Sequence, residues 1–169
     1  MLNYDLVTST AAYRILKRRD VGAFLEMAAR FRGELGKTAV PSDALLNTFE
    51  ELTRDERKGT IFLIEKGESF IGYCVIVNLW NAELGGNVLF MEELFVDPQW
   101  RRRGIAQDFI TLLGKIAPLD SVAIRLEVDP SNKKAAALCR KLGFAESKQK
   151  ILSKGIQRER PADALHHQR

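Results

Sequence analysis

Nine residues with the composition of a strand, VLFMEELFV (Val88–Val96), are followed by DPQWRRRG and then by Ala106, Phe109, Ile110 and Leu113 at helical spacing. A strand that passes through one short turn into an amphipathic helix must lay that helix against a sheet, so an α/β chain is expected. The rest of the sequence supplies the partners. TIFLI (Thr60–Ile64), a turn at EKGES and SFIGYCVIV (Ser69–Val77) read as a hairpin rich in β-branched and aromatic residues. VAIRLEV (Val122–Val128) reads as a further strand, and Ala12–Lys17 and Gln149–Ser153 as short ones. NLWNAELGGN reads as a loop, because its Asn residues and Gly85-Gly86 favour turns.

Three more helices are expected. Asp20 is placed to cap the first, with Val21, Phe24, Leu25, Ala28 and Phe31 on one face. Pro41-Ser42 opens the second, with Leu45, Leu46, Phe49 and Leu52 inward. Pro130-Ser131 opens the last, with Ala135, Leu138, Cys139 and Leu142 on its apolar face and Gly143 as its C-terminal stop.

The chain has 169 residues, suited to one domain over residues 1–154, with a polar tail from 155 to 169. Hydrophobic residues make up 46% and charged residues 28%, which excludes a disordered or fibrous protein. No apolar run reaches the length of a membrane span, and the first residues lack a secretory pattern, so a cytoplasmic protein without a membrane partner is expected. Cys74 and Cys139 lack metal-type spacing and read as reduced, buried thiols. A net charge of +4 suits an anionic ligand without requiring one.

That charge is concentrated at Arg101, Arg102 and Arg103. Gly104 and Ala106 at the start of a helix place free backbone N–H groups and the positive end of the helix dipole at one point, where an anion can be held. Upstream, Glu92 and Glu93 interrupt the apolar strand. Simple alternation puts Glu92 with Val88, Phe90, Leu94 and Val96, and Glu93 with Leu89, Met91 and Phe95.

With these segments in the same order, the chain resembles the GCN5-related N-acetyltransferase (GNAT) family. A strand ending at Val96 precedes an Arg-x-x-Gly-x-Ala turn formed by Arg101, Gly104 and Ala106, and Asn132, Ala135 and Lys141-Leu142-Gly143-Phe144 match the family's later segment. The resemblance implies a mixed, mostly antiparallel sheet flanked by about four helices, with a V-shaped splay between the strands Val88–Val96 and Val122–Val128. It also implies acetyl-CoA as acetyl donor and no metal. The backbone from Arg101 through Arg102, Arg103, Gly104 and Ile105 to Ala106 would hold the pyrophosphate. Leu94, Phe95 and Val96 would line the pantetheine arm, with Asn132, Ala135 and Lys141 contributing from the last helix. Glu92 would be the general base, the Leu94 N–H would stabilise the oxyanion, and Cys139 stands where many members carry a Tyr that protonates the departing thiolate.

The implied reaction is acetyl transfer to a primary amine by direct attack in a ternary complex. The stretch from Glu83 through Gly85-Gly86 to Val96, together with the acidic residues near Glu50 and Glu93, suits a small cationic acceptor. A protein or peptide amine is the alternative within the same chemistry. Outside it stand a non-catalytic acetyl-CoA sensor and a basic nucleic-acid-binding domain, the latter disfavoured because the basic residues flank a glycine turn without an aromatic stacking platform. Oligomeric state, a homodimer included, stays open.

Overall fold

A computed structural model of the chain describes residues 6–36, 42–148 and 151–155. Its centre is a six-stranded sheet in sequence order: β1 (Leu6–Val7), β2 (Ala12–Ile15), β3 (Gly59–Lys66), β4 (Ser69–Asn81), β5 (Gly86–Val96) and β6 (Ser121–Leu126). Neighbours are antiparallel from β1 to β5, whereas β5 and β6 run parallel. That last pair requires a crossover, which α3 (Ile105–Ile116) provides. Helices α1 (Val21–Glu34) and α2 (Ser42–Arg54) cover one face, and α4 (Lys133–Lys141) follows β6.

Both faces are covered, which explains why β3 and β4 read as nearly continuous apolar runs. Alternate residues of β3 serve the two cores. Ile61 and Leu63 join Phe24, Leu45, Phe49 and Tyr73 under α1 and α2. Phe62 and Ile64 join Tyr13, Met91, Phe109 and Leu113 under α3. The β3–β4 hairpin turns in two residues, with Gly67 at φ +59, a left-handed conformation that glycine adopts without a Cβ penalty.

Several local expectations shift. The NLWNAELGGN segment is mostly strand: β4 runs on to Asn81 and β5 begins at Gly86, leaving a turn of Ala82 to Gly85. Ladder pairing with the neighbouring strand outweighs the turn propensity of isolated Asn residues. α4 begins at Lys133 rather than at Pro130-Ser131, because the Asn132 side chain caps it by accepting a bond from the Ala135 N–H at 3.1 Å. Of the expected strand at Gln149–Ser153, Ile151 to Ser153 form none, and Gln149 and Lys150 lie outside the described residues, as do Pro41 and the tail from 156 onward.

Asp20 immediately precedes α1 without capping it through its side chain. Its buried carboxylate instead takes two bonds from Arg14, at 2.7 and 3.0 Å, and one from the Lys17 N–H at 2.9 Å. Arg14 above all, then the Lys17 N–H, hold the Asp20 carboxyl below its ordinary value against the opposing effect of burial. Asp20→Asn is therefore expected to lower stability by about 2 kcal/mol at neutral pH. Because the folded-state value is depressed, this contribution is complete above about pH 4, the unfolded value, and disappears as the pH falls through the folded one. Denaturant midpoints of both proteins, converging only in acid, would check it.

Candidate active site

The pairing of β5 decides where the candidate residues lie. Val75 pairs with Glu93, but the next residue of β4, Ile76, pairs with Met91. Glu92 is therefore the extra residue of a β-bulge, opposite nothing on β4. The bulge reverses the alternation beyond it. Leu89 and Met91 face the α3 core, and so do Leu94 and Val96, whereas Phe95 faces α1 and α2. The expectation that one face carries Val88, Phe90, Leu94 and Val96 with Glu92, and the other Leu89, Met91 and Phe95 with Glu93, is thus corrected across the bulge: Leu94 and Val96 join Leu89 and Met91, while Glu93 and Phe95 stay together on the side of α1 and α2.

The same place is where β5 parts from β6. Their pairing runs from Asn87↔Ser121 to Met91↔Leu126 and stops there. The second half of β5 keeps β4 on one side and has an open splay on the other. Which backbone groups face that opening follows from the register. Asp97 N–H donates to the Ile71 carbonyl at 2.8 Å, so the Gly72↔Val96 pair is of the type whose own N–H and C=O point away from each other. Two residues on, the Cys74↔Leu94 pair is of the same type, so the N–H groups of Leu94 and Val96 both point into the splay.

Below the splay lies the turn into α3. A pocket of about 290 Å³ is lined by Val96, Trp100, Arg101, Arg102, Gly104, Ile105, Ala106 and Gln107, with Leu138 of α4 opposite. Arg102 sits at φ +63 and Gly104 at φ +82, two left-handed residues that turn successive amides toward one side just before the helix. These exposed N–H groups, the α3 dipole and the pocket above them fit a phosphate-bearing ligand by the chemistry of the donors. A larger cavity of about 580 Å³ opens at the other end of the sheet, lined by Lys17, Thr60, Asn78 and Ser121 among others, away from the splay and this helix start.

The side chains expected to add charge are partly committed elsewhere. Arg101 donates to the Val96 carbonyl at 2.7 Å and to Glu34 at 2.6 Å, and its guanidinium lies over the Phe95 ring. Arg103 stacks over Trp100 at 4.8 Å and donates to the Gln99 carbonyl. Arg101 thus ties the turn to α1, while the exposed Arg102 lines the pocket. The Phe95 side chain is 1% exposed and packs against Phe31 and Tyr73, away from the splay. Ile105 is buried under α3, leaving only its backbone for a ligand. Asn132, Ala135 and Lys141 lie outside the pocket lining, although Lys141 bonds Gln107 at 3.1 Å and so links α4 to α3 at the pocket.

Glu92 and Glu93 have different environments. Glu92 is open to solvent, yet the protein around it removes enough water to push its carboxyl up, and the charges of Glu93 and Glu127 add to the shift. Glu93 is held on both oxygens, accepting from the Tyr73 hydroxyl at 2.7 Å and from Arg32 at 3.3 Å. Cys139 is 9% exposed, and burial pushes its thiol up against the weaker opposing effect of Arg140. Neither cysteine is in a disulfide. Among the described residues no group of three or more His, Cys, Asp or Glu side chains is arranged to hold a metal ion, and no helix is long and apolar enough to cross a membrane.

Sequence reading missed Gln107 although it directly follows Ala106 at the start of α3. It also missed Arg32, Tyr73 and Glu127 at the site, and gave Leu138 only as an apolar residue of the last helix; each of these reaches the site through a contact between distant segments and carries no local signal. The bulge was missed for the same reason.

Comparison with known proteins gives the architecture a family. The family model described as Acetyltransferase (GNAT) family matches residues 24–144. No curated protein matches the sequence. Among solved structures, a possible acetyltransferase from Clostridium difficile 630 has a TM-score of 0.77 at 20% identity, covering 89% of this chain and 100% of its own. An integron cassette protein from the mobile metagenome of Cole Harbour Salt Marsh has a TM-score of 0.70 at 25% identity, with coverages of 87% and 91%. AAC(6')-Iy, solved with the bisubstrate analog CoA-S-monomethyl-acetylneamine, has a TM-score of 0.73 at 19% identity, with coverages of 88% and 100%. With the splayed β5–β6 pair, the glycine turn into α3 and a family match over most of its length, this chain belongs to the acetyltransferase (GNAT) family, enzymes that use acetyl-CoA.

Proposed function

We propose that the protein transfers the acetyl group of acetyl-CoA to the primary amine of a small cationic molecule, by direct attack in a ternary complex. The observation that carries this reading is Glu92: a carboxylate at a bulge, raised in pKa, at the mouth of a splay into which the Leu94 N–H points. An alkylammonium has a pKa near ~10.4, so almost none is nucleophilic at neutral pH until a base accepts its proton. Glu92 does so, directly or through one water. Leu94 N–H donates to the carbonyl oxygen as negative charge develops there. Val96 N–H and the amides from Arg102 to Ala106 bind the donor's amide arm and pyrophosphate, with Asn132 at the cap of α4 and Ala135 and Lys141 within it flanking the donor.

A cationic acceptor is supported by the charge at this mouth, where Glu92 and Glu127 lie close enough to influence each other and Glu93 adjoins. A structural neighbour described as an aminoglycoside acetyltransferase, solved with sisomicin, is compatible with that class. The catalytic unit spans residues 1–154 and works in the cytoplasm. A panel of polyamines, aminoglycosides, amino acids and peptide N-termini, assayed for CoA release with acetyl-CoA, tests the reading. Turnover confined to peptides would move the acceptor to the protein class, and no turnover with tight acetyl-CoA binding would favour a sensor.

Cys139 is not proposed as an effective acid. Its raised pKa keeps the thiol protonated, but burial among apolar residues leaves it poorly placed to deliver that proton. Cys139→Ala is expected to retain kcat within about tenfold, because an effective general acid contributes more than that. A loss of several hundredfold with acetyl-CoA affinity and Tm unchanged would make the thiol catalytic.

A further inference from the structure

Glu92 has no partner on β4, so nothing in the ladder fixes it, while the residue beside it is tied down from two other elements. Tyr73 of β4 gives its hydroxyl to one Glu93 oxygen at 2.7 Å, and Arg32 in the last turn of α1 approaches the other at 3.3 Å. Tyr73 is fully buried, with Phe24 and Phe31 edge-on to its ring and Phe95 tilted beside it. This aromatic nest gives the hydroxyl a fixed direction. Arg32 is itself mostly buried; among the described residues its Nη2 donates to Glu93 and its Nη1 has no partner. A surface ion pair would not warrant burying an arginine this way.

We propose that Arg32, Glu93 and Tyr73 are positioning residues for acetyl transfer: they lock the bulged segment of β5 so that Glu92 projects into the splay, and they fix the charge of Glu93 beside it. The inference rests on Glu92 being the base. A bulge frees one residue from pairing and lets the strand bend, which re-aims a side chain but leaves it mobile unless its neighbours are anchored. Anchoring Glu93 on both oxygens supplies that restraint from α1 and β4, elements that contribute no residue to the lining of the pocket at the α3 turn. The charges acting on Glu92 come from Glu93 on its own strand and from Glu127 just beyond β6, and both push its carboxyl in the direction that keeps a proton longer and makes a stronger base.

The test labels the protein with 13C-glutamate and follows the δ-carboxyl resonance of Glu92, assigned by its loss in Glu92→Gln, through a pH titration of wild type, Glu93→Gln and Tyr73→Phe. Glu93→Gln is isosteric and keeps one acceptor oxygen, enough for Tyr73 or Arg32 but not both, so it removes the charge and one of the two anchoring bonds; Tyr73→Phe, which keeps the charge, separates the two effects. The Glu92 midpoint is expected to move to lower pH in Glu93→Gln, and the acid limb of kcat/KM, measured with acetyl-CoA and 1,4-diaminobutane, to move with it. Tyr73→Phe leaves the charge but loosens it, and is expected to lower kcat about tenfold with little change in KM. Glu93 in a purely structural role would alter Tm while leaving the Glu92 midpoint in place, and that result overturns the proposal. The two failures are separable. If Glu92→Gln leaves the pH–rate profile unchanged, Glu92 is not the base; if Glu92→Gln is inactive but Glu93→Gln moves neither the resonance nor the limb, only the positioning role falls.

Discussion

Gly104→Val is expected to abolish coenzyme A binding in a protein that still folds. Two effects act together. At φ +82 a β-branched residue is strained by about 1–3 kcal/mol, so the turn would relax and its amides would rotate away from one another. The new methyl groups would also project at a position that lines the pocket. Folding survives because a Cβ at Gly104 meets only the Thr10 Cγ2 at 3.8 Å, an ordinary contact, and the position is exposed. The affinity loss should exceed about 100-fold, equivalent to roughly 2.7 kcal/mol. Gly104→Ala, which carries the backbone cost with a smaller side chain, should fall between. Calorimetric titration of acetyl-CoA into the folded Val variant decides the matter, and unchanged affinity would remove the α3 turn from the donor site.

Glu92→Gln is expected to lower kcat/KM by about 10²–10⁴-fold near neutral pH. The sign of the pH dependence follows from the raised carboxyl. Glu92 can accept a proton only when ionised, so wild-type activity should climb as the pH rises through its elevated value, and that limb should be missing in the Gln variant. At high pH the gap should narrow, because the amine increasingly arrives without its proton and needs no base. The substitution is isosteric at a solvent-open position, so Tm should scarcely change. Superimposable wild-type and Gln pH–rate profiles would mean that another group takes the proton.

From Ala12 to the last helix the order of elements was legible from periodicity and cap residues, because apolar residues at spacing 2 or 3.6 report which face is buried whatever covers it; the two-residue β1 at Leu6–Val7 was not foreseen, and Ile151 to Ser153 form no strand. The same holds for the start of α3. A glycine between a basic turn and a small-residue helix opening points to free amides, and Gly104 takes the left-handed conformation that only glycine adopts freely. Cys139 also lies where helical spacing puts it, on the inward face of α4.

What the sequence could not determine is anything that depends on register between strands. Alternation along β5 predicts a face for every residue, yet one unpaired residue reverses all that follow, and that residue becomes visible only when Val75 is seen opposite Glu93 and Ile76 opposite Met91. Glu92 and Glu93 are adjacent and chemically alike; tertiary structure alone separates them, leaving one open at the splay and tying the other to Tyr73 and Arg32, 20 and 61 positions away in sequence. The arginine run shows the same limit. Composition marks Arg101 as a cation available to a phosphate, whereas the fold brings Glu34 and the Val96 carbonyl to it, 67 and 5 positions away, and makes it a strut between turn and helix. Local propensity and burial are properties of short segments and survive in the sequence. A pairing between distant segments is decided by how the sheet closes, and no single segment encodes it.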